Sequence, residues 1–357
     1  MAAAKNNLTM VFSGVALCVL ILDAKTAVHA ASEGISLCLT TIVPSLFPFF
    51  IITALLTGAF ASYCISFLTP LGRLLRLPEN GELILLIGLL GGYPMGAQCV
   101  RQAYCNGQLS TKNAERMLTF CSNAGPAFIF GIGASILPEA WMCWLVWLIQ
   151  VLSSIIVGWL TPAHPGVEIA APQSASVTFS DAIQRSIRVM ATVCSWIVLF
   201  KIILTFLRQW ILWILPEYVS ITLSGLLELT NGCTSLSQIQ SIPMRFCLFS
   251  VLLSGGGLCI AMQTQTVLMG SGLSLRPYII GKFVQSAVSS ILCALPLLFV
   301  FRIRLPLSAI LVLATSTLIC VVYTITERKS KKRIDFWNRL MYNNGKSPGG
   351  NTYEAIP

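Results

Sequence analysis

Long apolar runs separated by short polar connections make up most of the chain. A straight membrane-spanning helix needs about 20 predominantly apolar residues. Runs that approach this length lie at 8–22, 42–61, 83–95, 120–137, 140–160, 193–207, 211–229, 247–268, 278–301 and 305–323. Several are shorter than that, and Gly, Pro or polar residues interrupt others, notably at 88–96 and 254–257. The pattern therefore predicts an all-α, polytopic integral membrane protein with broken or re-entrant helices.

The composition points to a lipid bilayer as the surroundings of this chain. Of the 357 residues, 55% are hydrophobic and 10% are charged, whereas soluble domains carry about 25% charged residues. A water-soluble enzyme, a nucleic-acid-binding protein and a disordered scaffold each need more polar surface than this chain has, and these classes are excluded. The net charge of +10 is taken first as a sign of which segments face the cytoplasm, because cytoplasmic loops are enriched in Lys and Arg.

The two ends of the chain carry different signals. Five basic residues between Arg328 and Arg333 follow the last apolar run, and the tail at 325–357 is predicted to be cytoplasmic in a multi-pass cell-membrane protein. No aromatic residue is interleaved with these five basic residues, as nucleic-acid binding would favour. At the other end, 1–30 form a first membrane helix and its connection. Val28-His29-Ala30 resembles a signal-peptide cleavage site, but Asp23 and Lys25 precede it, so an uncleaved helix is predicted.

A Pro- and Ser-bearing linker at 161–178 divides the chain into two halves, 31–160 and 179–324. Paired features recur in the same order, which favours an internal duplication. They are Ser32–Ile35 with Ser180–Ile183, Gly88–Leu90 with Gly225–Leu227, and Ser122–Gly125 with Ser254–Gly257. The segment at 181–195 is amphipathic, so it either lies along the membrane interface or begins a spanning helix.

The sequence offers no motif for catalysis, for a metal or for a cofactor. The 13 cysteines are scattered through apolar runs without a Cys-x-x-Cys pair, and the two histidines lie far from any ligand cluster. Nucleophilic or acid–base catalysis needs a nucleophile with a partnering base, or paired carboxylates. A binding or permeation site is therefore predicted rather than an enzyme.

Two polar islands inside apolar sequence are the candidates for that site. The first contains Glu228, Thr230 and Asn231. An ionisable group at membrane depth costs about 2.5–3.5 kcal/mol on insertion scales, so it is usually retained for function or for a buried partner. The alternative is that Glu228 is exposed at a helix end at the interface. If the island is a binding site, Gly232, which follows it, is expected to end a half-helix.

The second island runs from Ser254 to Gln265. Gly255 and Gly256 open the backbone, and Gln263 and Gln265 offer donors and acceptors to a polar, uncharged ligand. The alternative is close helix packing through small residues, with the glutamines hydrogen-bonded across helices.

The first half offers counterparts to both islands. Tyr93 lies in Gly91-Gly92-Tyr93-Pro94-Met95-Gly96, and Ser122 and Asn123 lie in Ser122-Asn123-Ala124-Gly125-Pro126. Tyr93 is suited to stack on a ligand, or it belongs to an interfacial aromatic belt.

Four segments in this order carry a family resemblance: Pro44–Phe49, Gly91–Ala97, Leu227–Gly232, and Gly255–Leu258 with the following Gln263. Over most of the chain from Ser32 to Val300, they resemble the YlbJ-type sporulation integral membrane proteins. The resemblance implies two weakly similar gate-type halves, related to nucleoside-recognition domains. It also implies a role in sporulation and spore cortex formation.

Two functions stay open at this point. One is a transporter-like protein for a small polar solute, such as a nucleoside or a cell-wall precursor, with the residues of both islands at the binding site. The other is a membrane scaffold that organises a sporulation complex. Homo-oligomerisation is open in both.

Overall fold

The computed structural model describes residues 2–60, 68–78, 81–163, 178–301, 315 and 322. Most of the predicted linker, nearly all of the last apolar run and the whole basic tail lie outside the described residues. Within the described ranges the chain forms helices and connecting segments, with no strand. The predicted all-α class is confirmed.

In the described residues, the first half of the chain contains nine α-helices and one π-helical turn. They are α1 (Ala2–Leu22), α2 (Ala24–Leu37), a π-helical turn (Cys38–Ile42), α3 (Val43–Phe60), α4 (Thr69–Leu75), α5 (Gly81–Gly91), α6 (Met95–Cys105), α7 (Thr111–Leu118), α8 (Pro126–Ile136) and α9 (Ala140–Leu160). The π-helical turn continues directly into α3, so α2 and α3 form one long apolar element.

The described part of the second half contains six α-helices: α10 (Phe179–Trp210), α11 (Glu217–Leu227), α12 (Leu229–Ser235), α13 (Ile242–Gly255), α14 (Gly257–Leu268) and α15 (Arg276–Phe299). The amphipathic segment at 181–195 is part of the continuous helix α10, so a separate interfacial helix is wrong there. The predicted apolar run at 211–229 is not one helix either. A 3₁₀ turn, Leu212–Ile214, precedes Pro216, and α11 begins only after that proline.

In the part of the chain that the structure describes, five elements are long and apolar enough to cross a bilayer: Ala24–Leu55, Ala140–Leu160, Phe179–Trp210, Ile242–Leu268 and Arg276–Phe299. Large apolar side chains such as Trp144, Trp159 and Phe283 are exposed on their outer faces. In water such a surface would be costly, whereas lipid chains can cover it. The chain is a polytopic integral membrane protein.

Within the described residues, four interruptions divide helical structure in this bundle. The helices α5 and α6 form a hairpin that turns at Gly92 (φ 78°) and at a cis Tyr93–Pro94 peptide. A second hairpin, α11–α12, turns at Glu228. Two other helices are discontinuous: α7 and α8 are separated by residues 119–125, and α13 and α14 by Gly256 (φ 73°). The predicted broken helices at 88–96 and 254–257 are confirmed.

Glycines allow the interrupted helices to pack backbone against backbone. A Cβ atom on Gly88 would overlap the Cys121 carbonyl group, and one on Gly232 would overlap the backbone of Gly225. Gly232 therefore lies in the middle of α12, facing α11, and it does not end a half-helix as the sequence suggested.

The same order of elements occurs in both halves of the chain. Apart from the short helix α4, which stands before the hairpin in the first half only, a long element (α2–α3 or α10) is followed by a hairpin, a discontinuous helix and a second long helix (α9 or α15). This order is in keeping with the predicted duplication, which stays a prediction.

Candidate functional site

A buried cavity lies where interruptions from both halves meet. The cavity has about 30 Å³ of space for water. Its polar lining comes from Gly92, Tyr93, Gly125, Glu228, Thr230 and Gln263. Its apolar wall is formed by Ile42, Leu46, Ala124, Phe128, Val193, Ile197, Leu229 and Ile260. Both polar islands predicted from the sequence thus contribute to one site.

Glu228 is 1% exposed, so its placement as an exposed interfacial carboxylate is wrong. It caps the first turn of α12. Its Oε1 accepts a hydrogen bond from the Thr230 backbone N–H (3.0 Å), and its Oε2 accepts from the Asn231 backbone N–H and the Asn231 Nδ2 (both 2.6 Å). These donors are otherwise unsatisfied at a helix start, and the positive end of the helix dipole favours the carboxylate.

Asn231 extends this network to a charged pair that the sequence did not indicate. Its Oδ1 accepts a hydrogen bond from Lys201 Nζ (3.2 Å), and Lys201 forms a salt bridge with Glu33 (3.0 Å). Lys201 lies on α10 and Glu33 on α2, so the network connects the α11–α12 hairpin to two long elements. The carboxylate of Glu228 is therefore supported by a chain of polar contacts that reaches a cation.

The two glutamines of the second island have different surroundings. Gln263 is 1% exposed and lines the cavity. Its Nε2 lies 3.4 Å from Cys259 Sγ, whereas its Oε1 is buried without a hydrogen-bond partner in the described part of the chain. Gln265 is exposed and does not line the cavity, because two residues along a helix correspond to more than half a turn. Its placement at the binding site is wrong.

Tyr93 connects the interruption in one half to the interruption in the other. It is 7% exposed, so its alternative placement in an interfacial aromatic belt is wrong. Its hydroxyl donates to the Leu253 carbonyl oxygen (3.0 Å) at the end of α13. A Cβ on Gly256 would lie 3.3 Å from this hydroxyl oxygen, and one on Gly255 would lie 2.9 Å from Ser286 Oγ. Both glycines thus provide close packing beside the cavity rather than part of its lining.

Ser122 and Asn123 lie in a neighbouring polar cluster and do not line the cavity. Both are buried. The Ser122 carbonyl oxygen and the Asn123 side chain accept hydrogen bonds from Lys282 Nζ on α15. The sequence analysis missed Lys282, although a lysine inside the apolar run at 278–301 is itself a signal of a buried polar site.

Two long helices each supply a glutamine to the interruption in the opposite half. On α9, Gln150 accepts from Ser254 Oγ (2.9 Å) and its Nε2 lies 3.4 Å from the Leu253 carbonyl oxygen. On α15, Gln285 Nε2 donates to Asn123 Oδ1 (2.8 Å). Polar groups of interrupted helices have no water in the hydrocarbon region, so other helices must satisfy them.

These features define a class: a polytopic helical membrane protein with a small polar site between interrupted helices. No family model matches the chain, and no solved structure matches it. The sporulation integral membrane protein YlbJ of Bacillus subtilis (strain 168) is 23% identical over 308 residues, which cover 74% of this chain and 76% of that protein. This similarity confirms the resemblance to the YlbJ-type family that the motifs predict.

Proposed function

We propose that the chain is a transporter-like protein that moves a small polar solute across a membrane during spore formation. The observation that carries this proposal is Gln263 Oε1, a buried acceptor without a partner in the described residues, in a cavity shared by both halves. Secondary transporters bind their substrates at the midplane, between discontinuous helices. Nucleosides and cell-wall precursors carry the donors and acceptors that Gln263 and Thr230 can bind.

The cavity is too small to hold a solute in this conformation. About 30 Å³ is enough for two or three water molecules, because each needs roughly 10–15 Å³ by this measure. A solute can enter only if the two halves separate at this level. The hydrogen bond from Tyr93 to Leu253 crosses between them, and it would open in that movement.

A membrane scaffold is the second candidate function. The three hydrogen bonds to the Glu228 carboxylate favour it, since both of its oxygens have partners without any ligand. In a scaffold the halves stay together and the cavity remains closed. Solvent access to the cavity therefore distinguishes the two functions.

Thiol labelling measures this access. In full-length protein freed of its 13 native cysteines, Thr230→Cys places a thiol on the cavity, and Ser250→Cys places one in the packed interior of α13. Both native side chains are at most 3% exposed. A membrane-impermeant methanethiosulfonate reagent is applied to each side of the membrane in turn.

If the cavity opens, Thr230→Cys reacts from at least one side at least about tenfold faster than Ser250→Cys, because a closed site is reached only through its open fraction. Equal, background-level labelling of the two thiols would contradict the transport proposal and favour the scaffold.

A further inference from the structure

Helix α15 carries a lysine at membrane depth. Lys282 is 3% exposed and lies in the apolar element Arg276–Phe299. Its Nζ donates to the Ser122 carbonyl oxygen, to Gln285 Oε1 (2.7 Å) and, more weakly, to Asn123 Oδ1 (3.5 Å). Three acceptors match the three N–H bonds of an ammonium group. A neutral amine has only two such bonds and a lone pair that needs a donor, so the surroundings fit the charged form.

Aromatic faces complete the surroundings of this ammonium group. Its nitrogen lies 5.0 Å from the ring centroid of Tyr93 and 5.8 Å from that of Tyr278. Such faces attract cations, and more strongly where water is excluded. Within the described residues no carboxylate forms a salt bridge with Lys282, because the ion pairs there involve Glu33. In the described part of the chain, neutral oxygens and aromatic rings therefore surround this charge.

The oxygen ligands belong to an interrupted helix. Ser122 and Asn123 lie in the non-helical segment between α7 and α8, and a bare carbonyl there would lack a donor at membrane depth. Gln285 is held in place by its own hydrogen bonds to Asn123 Oδ1 (2.8 Å) and Ser153 Oγ (3.2 Å). Carbonyl oxygens of interrupted helices bind coupling cations in transporters.

The corresponding interruption of the other half contains no such charge. There the Leu253 carbonyl oxygen accepts hydrogen bonds from the neutral groups of Tyr93 and Gln150. We propose that Ser122, Asn123 and Gln285 form a monovalent-cation site, and that Lys282 occupies it as a cation built into the chain. The protein then needs no free Na⁺ or K⁺ at this position, whether or not it transports a solute.

Removing the built-in cation should create a site for a free one. The full-length protein is purified in detergent, and its Tm is measured in chloride salts of Na⁺, K⁺, methylammonium or N-methylglucamine at equal ionic strength. We expect the wild-type Tm to be the same in all four salts. Lys282→Ala should lower the Tm by about 5 °C or more in N-methylglucamine chloride. At least one of the three small cations should restore about half of that loss.

Lys282→Met is the matched control, because its apolar side chain fills the space and leaves no room for a cation. It should be destabilised as well, but with the same Tm in every salt. If Lys282→Ala and Lys282→Met respond identically to the four salts, or if the wild-type Tm depends on the small cation, the proposal is wrong.

A second pair of variants covers the case in which Lys282→Ala does not accumulate. Gln285→Glu and Gln285→Met both lose the donors to Asn123 and Ser153, but only Gln285→Glu places a carboxylate beside Lys282. A charged Lys282 would make Gln285→Glu the more stable of the two, by several degrees in Tm. A lower Tm for Gln285→Glu than for Gln285→Met would overturn the cation assignment.

Discussion

Replacing Gly232 with Ala should remove most of the protein from the membrane. The added Cβ would overlap the Gly225 backbone, where helices α11 and α12 pack against each other. Overpacking a well-packed interior usually costs about 1–3 kcal/mol, and more where the structure cannot adjust. Backbone atoms cannot rotate away as a side chain does, so the hairpin has to separate. Glu228 and Thr230 then leave the cavity.

Gly131→Ala is the matched control for this substitution. Gly131 lies within α8, and the nearest atom to an added Cβ is Ser45 Cβ at 4.0 Å. Replacing an interior helical Gly with Ala at an open position gains roughly 0.5–1 kcal/mol. For Gly232→Ala, the membrane abundance and the Tm of the purified protein should fall sharply. For Gly131→Ala, both should stay the same or rise. Equal abundance and stability of the two variants would show that the hairpin does not pack as described.

Glu228→Gln should also destabilise the protein, although the two side chains have nearly the same shape. Both carboxylate oxygens accept hydrogen bonds, and three donors converge on them. An amide would turn one –NH₂ group toward these donors. A buried polar group left unsatisfied costs about 1–3 kcal/mol, and the loss of a charge-assisted bond adds to that.

Two further variants make the Glu228 result specific. Glu217→Gln removes a carboxylate that is exposed in the first turn of α11, and we expect no change in Tm or abundance. Glu228→Asp keeps a good helix-capping residue and should retain more stability than Glu228→Gln. Wild-type stability of Glu228→Gln would mean that the carboxylate does not cap α12. If that variant then lost function while it kept its stability, Glu228 would be a residue that binds the solute.

The interruptions of the helices could be predicted from the sequence because their signals are local. An apolar run is broken by the Gly and Pro residues in Gly91–Gly96 and by the three glycines at 255–257, and this does not depend on how the helices pack. The residues that each interruption contacts in the other half could not be predicted in this way. Tyr93 reaches Leu253, 160 residues away in sequence, and only the packing of the two halves brings them together.

Burial of polar residues could be predicted only in part. The cost of an ionisable group in a membrane correctly indicated that Glu228 is buried. The same argument applies to Lys282, which was missed because it lies in an apolar run rather than in a glycine-rich island. Gln265 was placed in the site because it is close to Gln263 in sequence, but it lies on the other side of α14.

The central claim is that the cavity between the interrupted helices binds a solute. Gln263→Leu replaces an amide whose Oε1 has no hydrogen-bond partner in the described residues with an apolar side chain of similar size, and Gln265→Leu makes the same change on the exposed face of the same helix. The most direct measurement compares the small-molecule content of sporulating native-host cells that carry each variant in place of the wild-type gene. With equal membrane abundance, we expect Gln263→Leu to alter the content of at least one polar metabolite and to reduce sporulation, and Gln265→Leu to match the wild type. Wild-type metabolite content and sporulation for both variants would contradict the claim.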